Sequence, residues 1–110
     1  MDEEALDRVF QALASATRRR ILDVVADAPG CSVNHVAEQF DMSRIGVLKH
    51  VNLLEEAGLL VSEKVGRERP LYVNLAPLQL IQERWSDRYR SFWAGRLTTL
   101  KYAVEGGGGE

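Results

Sequence analysis

The stretch MSRIGVLKHVNLLEEAGLL, residues 42–60, opens on Ser43 and closes past Gly58. Serine is a good helix N-cap, and glycine readily takes the left-handed conformation that follows a helix C-terminus. The spacing between them predicts a helix over 44–57. Val47, Val51 and Leu54 fall at i, i+4 and i+7, one seam to pack on the rest of the domain. The other face carries Arg44, Ile45, Leu48, Lys49 and Asn52. No Asp or Glu occurs in this helix before Glu55. A solvated face normally mixes both signs, so an acid-free half bearing Arg44 and Lys49 points to a negatively charged partner. A chance gap in a solvated helix is the other reading, and two cations alone do not decide between them.

Outward from this helix the punctuation is regular. Asp41 and Met42 leave a very short connection to an upstream helix, VNHVAEQF (33–40), capped by Ser32 and carrying Val33, Val36, Ala37 and Phe40 on one face. Two short helices joined so tightly read as a helix-turn-helix. Before them, Ser15 caps ATRRRILDVVADA (16–28), which APG at 28–30 stops, and EEALDRVFQALA (3–14) places Leu6, Val9, Phe10 and Leu13 on an apolar stripe. After them, LLVSEKV (59–65) and LYVNLA (71–76) are rich in β-formers and flank GRERP (66–70), a hairpin with a charged tip. Pro77 suits the first turn of a last helix reaching about Val104, roughly 40 Å long. The fold class is mainly α with a small β-hairpin: a winged helix-turn-helix in the order α-α-α-α-β-β-α, dimerising through its terminal helices. One domain covers 1–105, and the glycine-rich residues 106–110 form a flexible tail.

Composition excludes several classes. The chain has 110 residues, 45% hydrophobic and 27% charged, which suits one globular domain with a modest core. A net charge of −2 makes any basic surface local. The single cysteine, Cys31, excludes an intrachain disulfide and fits a reducing cytoplasm. Acids near the start (Asp2, Glu3, Glu4, Asp7) do not suit a secretory leader, and no apolar run is long enough to span a membrane. A cytoplasmic protein with no membrane partner is expected.

Double-stranded DNA is the partner this layout suits. The first half of a recognition helix approaches base edges in the major groove. Ser43 and the first-turn amides can meet a phosphate. Arg44 can pair with guanine or phosphate, Lys49 with phosphate, and Ile45 and Leu48 can touch thymine methyls. Lys64, Arg67 and Arg69 stand where a wing follows the backbone into the minor groove, with Glu63 and Glu68 diluting their charge. His50 either faces phosphate or hydrogen-bonds within the domain.

The segments FQALASATRRRIL, MSRIGVLKHVNLLEEAGLL and GRERPLYVNLAPLQLIQERW together resemble the ArsR-type (ArsR/SmtB) family of winged-helix repressors, from about Leu6 to Val104. The segment LEEAGLL after a Ser-Arg helix start is among the more specific of these motifs. SRIGVLKH and GRERPLYVNLAPLQLIQERW are similar to a branch often encoded beside START-like ligand-binding proteins. The resemblance implies a dimeric repressor on operator DNA of imperfect two-fold symmetry. It places DNA reading around Ser43, Arg44, Leu48, Lys49 and His50, with the wing around Arg67 and Arg69. Two departures stand out. Ile45-Gly46 replaces a frequent Pro-Ala, and Leu48 replaces a frequent Ser or Thr, removing a hydroxyl. Gly46 costs about 1 kcal/mol relative to Ala inside a helix, and near the N-terminus it allows close approach to the DNA backbone. The family's arsenic-sensing pattern needs Cys-X-Cys where this chain has Ser32 and Asn34, and its last-helix metal sites need His, which the last helix lacks. No metal and no cofactor is expected. Cys31, His35 and Glu38 fall at i, i+4 and i+7 and are read as a loop thiol beside a solvated face.

On the last helix Leu78, Ile81, Trp85, Tyr89, Phe92, Leu97 and Leu100 follow a stripe that Trp93 widens. With Leu6, Phe10 and Leu13 of the first helix it either covers the domain's own core or forms a two-fold dimer interface; the second is expected, because the middle helices already supply a core. The aromatic side chains also suit a hydrophobic effector, unidentified. The function read from the chain is therefore a dimeric, sequence-specific DNA-binding transcriptional regulator, a repressor with the 43–57 helix in the major groove and the 63–70 wing on the backbone or minor groove. A winged-helix interaction module without specific DNA binding is the alternative. No enzyme motif is present: there is no phosphate loop, nucleophile motif or carboxylate pair.

Overall fold

A computed structural model describes residues 1–86, 88, 90 and 94. It separates into two compact units, Met1–Pro77 and one beginning at Leu78. The elements are α1 (Glu3–Leu13), α2 (Ala16–Asp27), α3 (Val33–Glu38), α4 (Arg44–Glu56), β1 (Leu60–Ser62) and β2 (Leu71–Val73). A further helix, α5, occupies 76–86 and is helical again at 88, 90 and 94. The predicted winged helix-turn-helix order is present.

Each of the first four helices starts where a short oxygen-bearing side chain accepts an otherwise orphaned amide. Asp2 takes the amide of Ala5 at 2.7 Å and Ser15 that of Arg18 at 3.3 Å. Ser32 takes that of His35 at 3.0 Å and Ser43 that of Gly46 at 3.1 Å. At its C-terminus α1 borrows its caps. The Arg18 guanidinium donates through Nη2 to the Gln11 carbonyl at 2.9 Å and through Nε to that of Ala12 at 2.8 Å. Arg19 Nη1 donates to the Leu13 carbonyl at 2.6 Å. Cations here also complement the negative end of the helix dipole. The TRRR run, a basic patch by sequence, is thus largely structural: Arg20 lies 4.9 Å over the Phe40 ring.

Val47, Val51 and Leu54 are fully buried, as their seam predicts, and pack with Ile21 and Val25 of α2, Val36 of α3, Val9 of α1, Leu59 and Leu71 in one core. Burying each such side chain stabilises the fold by about 1.5–3 kcal/mol. Three expectations are corrected. The stripe on α1 is rotated: the inward face centres on Val9, so Leu6 (5% exposed) belongs to its own chain's core, Leu13 is half-buried and Phe10 (46%) stands at the surface. Helix α3 ends at Glu38, not at Phe40. The strands are short, and Asn74 closes the ladder at the α4 end: its amide donates to the Leu59 carbonyl at 2.9 Å, its Nδ2 to the Gly58 carbonyl at 2.9 Å, and its Oδ1 accepts the Ala76 amide at 3.2 Å.

The end of α4 sets the direction of the wing. Gly58 has φ +79°, and its amide donates to the Glu55 carbonyl at 2.9 Å while that of Leu59 donates to Leu54 at 2.9 Å. This is the Schellman pattern, with the usual hydrophobic contact supplied by two fully buried leucines, Leu54 and Leu59. The chain then enters β1, which pairs antiparallel with β2 in the register Leu60↔Val73, Val61↔Tyr72, Ser62↔Leu71. Cys31 adds a bridge on the far side of β2, with Gly30 N–H donating to Leu71 O at 2.7 Å and Leu71 N–H to Cys31 O at 2.9 Å. Within the second unit, α5 presents Leu78 and Ile81 half-buried and Trp85 exposed, with the Arg84 guanidinium 4.9 Å over the Trp85 ring. Tyr89, Phe92, Trp93, Leu97 and Leu100 lie outside the described residues.

A Cβ on Gly58 would meet only Pro77 Cγ at 3.9 Å, an ordinary contact, so the cost of Gly58→Ala is backbone strain alone. That strain is about 1–2 kcal/mol. Urea unfolding is expected to show a loss of this size for Gly58→Ala and a smaller one for Gly58→Asn, which tolerates the left-handed region.

Candidate nucleic-acid interface

A groove of about 390 Å³ opens between the start of α3, the first half of α4 and the wing. Ser32, Asn34, Arg44 and Leu48 line one side, and Arg67, Glu68, Arg69 and Pro70 the other. Helix α4 supplies its side chains in the order the fold demands. With Val47, Val51 and Leu54 buried, residues 45, 49 and 52 must face outward, and all three are exposed, Ile45 by 68%; Arg44, in line with the seam but in the first turn, is exposed as well. Leu48 is half-buried at the groove wall. Ser43 is exposed, but its Oγ is already engaged as the cap of Gly46. A Cβ at Gly46 would lie 3.3 Å from Met42 Cε and 3.4 Å from that same Oγ. The second is an ordinary contact and the first meets the end of a flexible, exposed side chain, so the cap does not require a glycine here.

The wing tip is a two-residue turn. Val65 and Glu68 exchange both backbone hydrogen bonds at 3.0 Å, and Gly66 takes φ +62° at the first central position. A positive φ there suits hairpin turns whose twist matches the strands. Arg67 thus projects from the tip, and Lys64 is exposed beside it; among the described residues neither has a side-chain partner.

Two residues expected to touch DNA are otherwise occupied. Arg69 is half-buried at the wing's base, its Nη2 paired with Glu55 Oε2 and its Nε donating to Ser62 Oγ at 3.0 Å. The late acid in α4 has its explanation here: Glu55 fastens the wing to the helix. His50 is half-buried, with Nδ1 3.4 Å from Arg18 Nη1. A guanidinium can only donate, so Nδ1 is the acceptor and His50 belongs to the α1–α2 junction. Of its two sequence readings, the internal one holds.

One residue that the sequence did not single out in this role is Asn34. Its Oδ1 accepts from Arg44 Nε at 2.8 Å, across from α3 to α4. No spacing rule announces a pair ten positions apart on two helices. Among the described residues no three His, Cys, Asp or Glu side chains come together as a metal site requires, and no helix is long and apolar enough to cross a membrane. Burial pushes the Cys31 thiol above its ordinary pKa, a rise partly offset by a backbone hydrogen bond.

Comparison with known proteins places this geometry. The model of a helix-turn-helix domain matches residues 13–63. The chain is 33% identical over 87 residues to YuzN of Bacillus subtilis strain 168, an uncharacterized HTH-type transcriptional regulator, covering 74% of this chain and 95% of that one. The crystal structure of an ArsR family transcriptional regulator superposes with a TM-score of 0.72 at 32% identity, covering 86% of this chain and 95% of the other. A homodimeric winged helix-turn-helix DNA-binding domain from Mycobacterium bovis, solved by NMR, shares the fold at 20% identity with a TM-score of 0.63, over 79% and 81% of the two chains.

Two outcomes are expected at this interface. Removing the partly exposed Arg69–Glu55 pair by Arg69→Ala costs on the order of 1 kcal/mol. It should therefore speed amide exchange at Val65 and Glu68 more than at Val51; equal protection in both places would show that the pair does not hold the wing. A raised thiol pKa favours the neutral form, so Cys31 at pH 8 should be alkylated by iodoacetamide more slowly in the folded chain than in urea, as followed by mass spectrometry.

Proposed function

Because the chain belongs to the ArsR family of winged helix-turn-helix transcriptional regulators, we propose that it is a dimeric repressor that binds a pseudo-palindromic operator. The observation that carries this reading is the outer face of the first three turns of α4, free of acids before Glu55, beside a cationic wing tip. Arg44, Ile45, Lys49 and Asn52 are exposed together, and Arg67, also exposed, lines the wing side of the groove. In this reading the first turns of α4 enter the major groove, where Arg44 reads a base edge and Ile45 and Leu48 pack on thymine methyls. Lys49, Lys64 and Arg67 contact phosphates, and counterion release supplies most of the non-specific affinity.

Dimerisation through the terminal helices belongs to the same proposal. The M. bovis relative is homodimeric, and Phe10, Leu78, Ile81 and Trp85 offer apolar surface on α1 and α5. Two copies related by a two-fold axis would set their α4 helices about one DNA turn, roughly 34 Å, apart. A cytoplasmic regulator of the branch without metal sensing, encoded beside a START-like protein, is the finer placement. Ser32 and Asn34, in place of thiolate ligands, support the absence of metal sensing.

The test is titration of the purified protein against the DNA upstream of its own gene and against scrambled duplex, at several salt concentrations. Tight, selective binding by a dimer that weakens steeply with salt is expected. Lys49→Ala or Arg67→Ala should weaken every duplex alike and lower the salt slope by about one. Equal affinity for both duplexes would favour the interaction-module reading instead.

A further inference from the structure

The contact between Asn34 and Arg44 lies outside the core. Both side chains are exposed, neither belongs to the core, and α3 and α4 are already joined by the buried Val36, Val47 and Val51. Its geometry is nevertheless definite. Arg44 is the first residue of α4 and Asn34 the second of α3, and Nε lies 2.8 Å from Oδ1. Because a guanidinium only donates, the amide oxygen must be the atom facing it.

We infer that Asn34 is a positioning residue for base recognition: it holds the Arg44 guanidinium so that Nη1 and Nη2, and not Nε, are presented to DNA. An arginine can meet guanine O6 and N7 end-on, through its two Nη atoms, or side-on, through Nε and one Nη. With Nε committed to Asn34, only the end-on pair remains, and among the described residues nothing else accepts from it. The contact also fixes the roll of the guanidinium plane. Arginine otherwise loses much rotamer freedom on binding, and a side chain already held loses less. Discrimination by a bidentate arginine depends on coplanarity with the base, so loosening the plane weakens specificity more than charge attraction. The groove wall thereby sets which donor pair reads the operator. This inference rests on the DNA-binding reading above and adds to it a specificity-determining residue outside the recognition helix.

The experiment uses the full chain and duplexes selected by the wild type from a randomised library. Substituting each guanine pair of the selected duplex, and repeating this with Arg44→Ala, identifies the base whose preference depends on Arg44. Asn34→Ala is expected to lower the preference for that base about tenfold, while affinity for scrambled duplex and the salt slope stay unchanged. Asn34→Asp keeps an acceptor at the same place and should retain the preference ratio, although its charge weakens binding to all duplexes. In the Arg44→Ala background, Asn34→Ala should have no effect on the ratio. An unchanged ratio overturns the inference, as does an equal loss on every duplex, which would mean that Asn34 itself touches phosphate. So does a wild type that discriminates without any base depending on Arg44. If the wild type selects no sequence at all, the DNA-binding reading falls, and this inference with it.

Discussion

The left-handed turn at Gly58 is the constraint on which the working surface depends. By closing α4 with amides from Gly58 and Leu59, it reverses the chain at the one place where Leu54 and Leu59 can be buried against each other. The wing leaves α4 in a set direction, and Asn74 ties its return strand to the same point through the Gly58 carbonyl. Only then does Arg69, whose Nε donates to Ser62 Oγ, come within reach of Glu55. The groove between helix and wing is thus a consequence of one backbone conformation that glycine adopts without steric cost.

Charge is divided between holding the fold and facing a partner. Arg18 and Arg19 are consumed by the carbonyls of α1, Arg20 by Phe40 and Arg69 by Glu55. What remains on the groove side is small: the Nη donors of Arg44, then Lys49, Lys64 and Arg67. This reconciles a net charge of −2 with a polyanionic partner. The attraction is local and short-ranged, within about one Debye length at physiological salt. Recognition then leans on a few well-placed donors, and their placement matters more than their number. Asn34 gains its importance in this setting.

Much of the fold was legible because the relevant signals are local. Ser15, Ser32 and Ser43 cap the helices they precede, Gly58 ends α4, and the seam Val47–Val51–Leu54 is buried, since caps and periodicity act within one or two turns. The outward face of α4 followed from that seam. The stripe on α1 was less legible: Leu6, Val9, Phe10 and Leu13 are all apolar, and spacing does not say whether the inward face centres on Leu6 and Phe10 or on Val9. Some of its core partners, those on α4, are distant in sequence.

By itself, then, the sequence determined the element order, the helix starts, the core seam and the acid-free first three turns of α4. Each depends on residues within a few positions of one another. Only the tertiary structure decided which polar side chains are still available for a partner. Arg69 read as a DNA contact until Glu55 is seen beside it, His50 kept two readings until Arg18 is, and Asn34 had no visible task until α3 met α4. Long arginine side chains reach whichever acceptor the packed core brings within a few ångströms, so their roles are settled by the meeting of elements far apart in the chain.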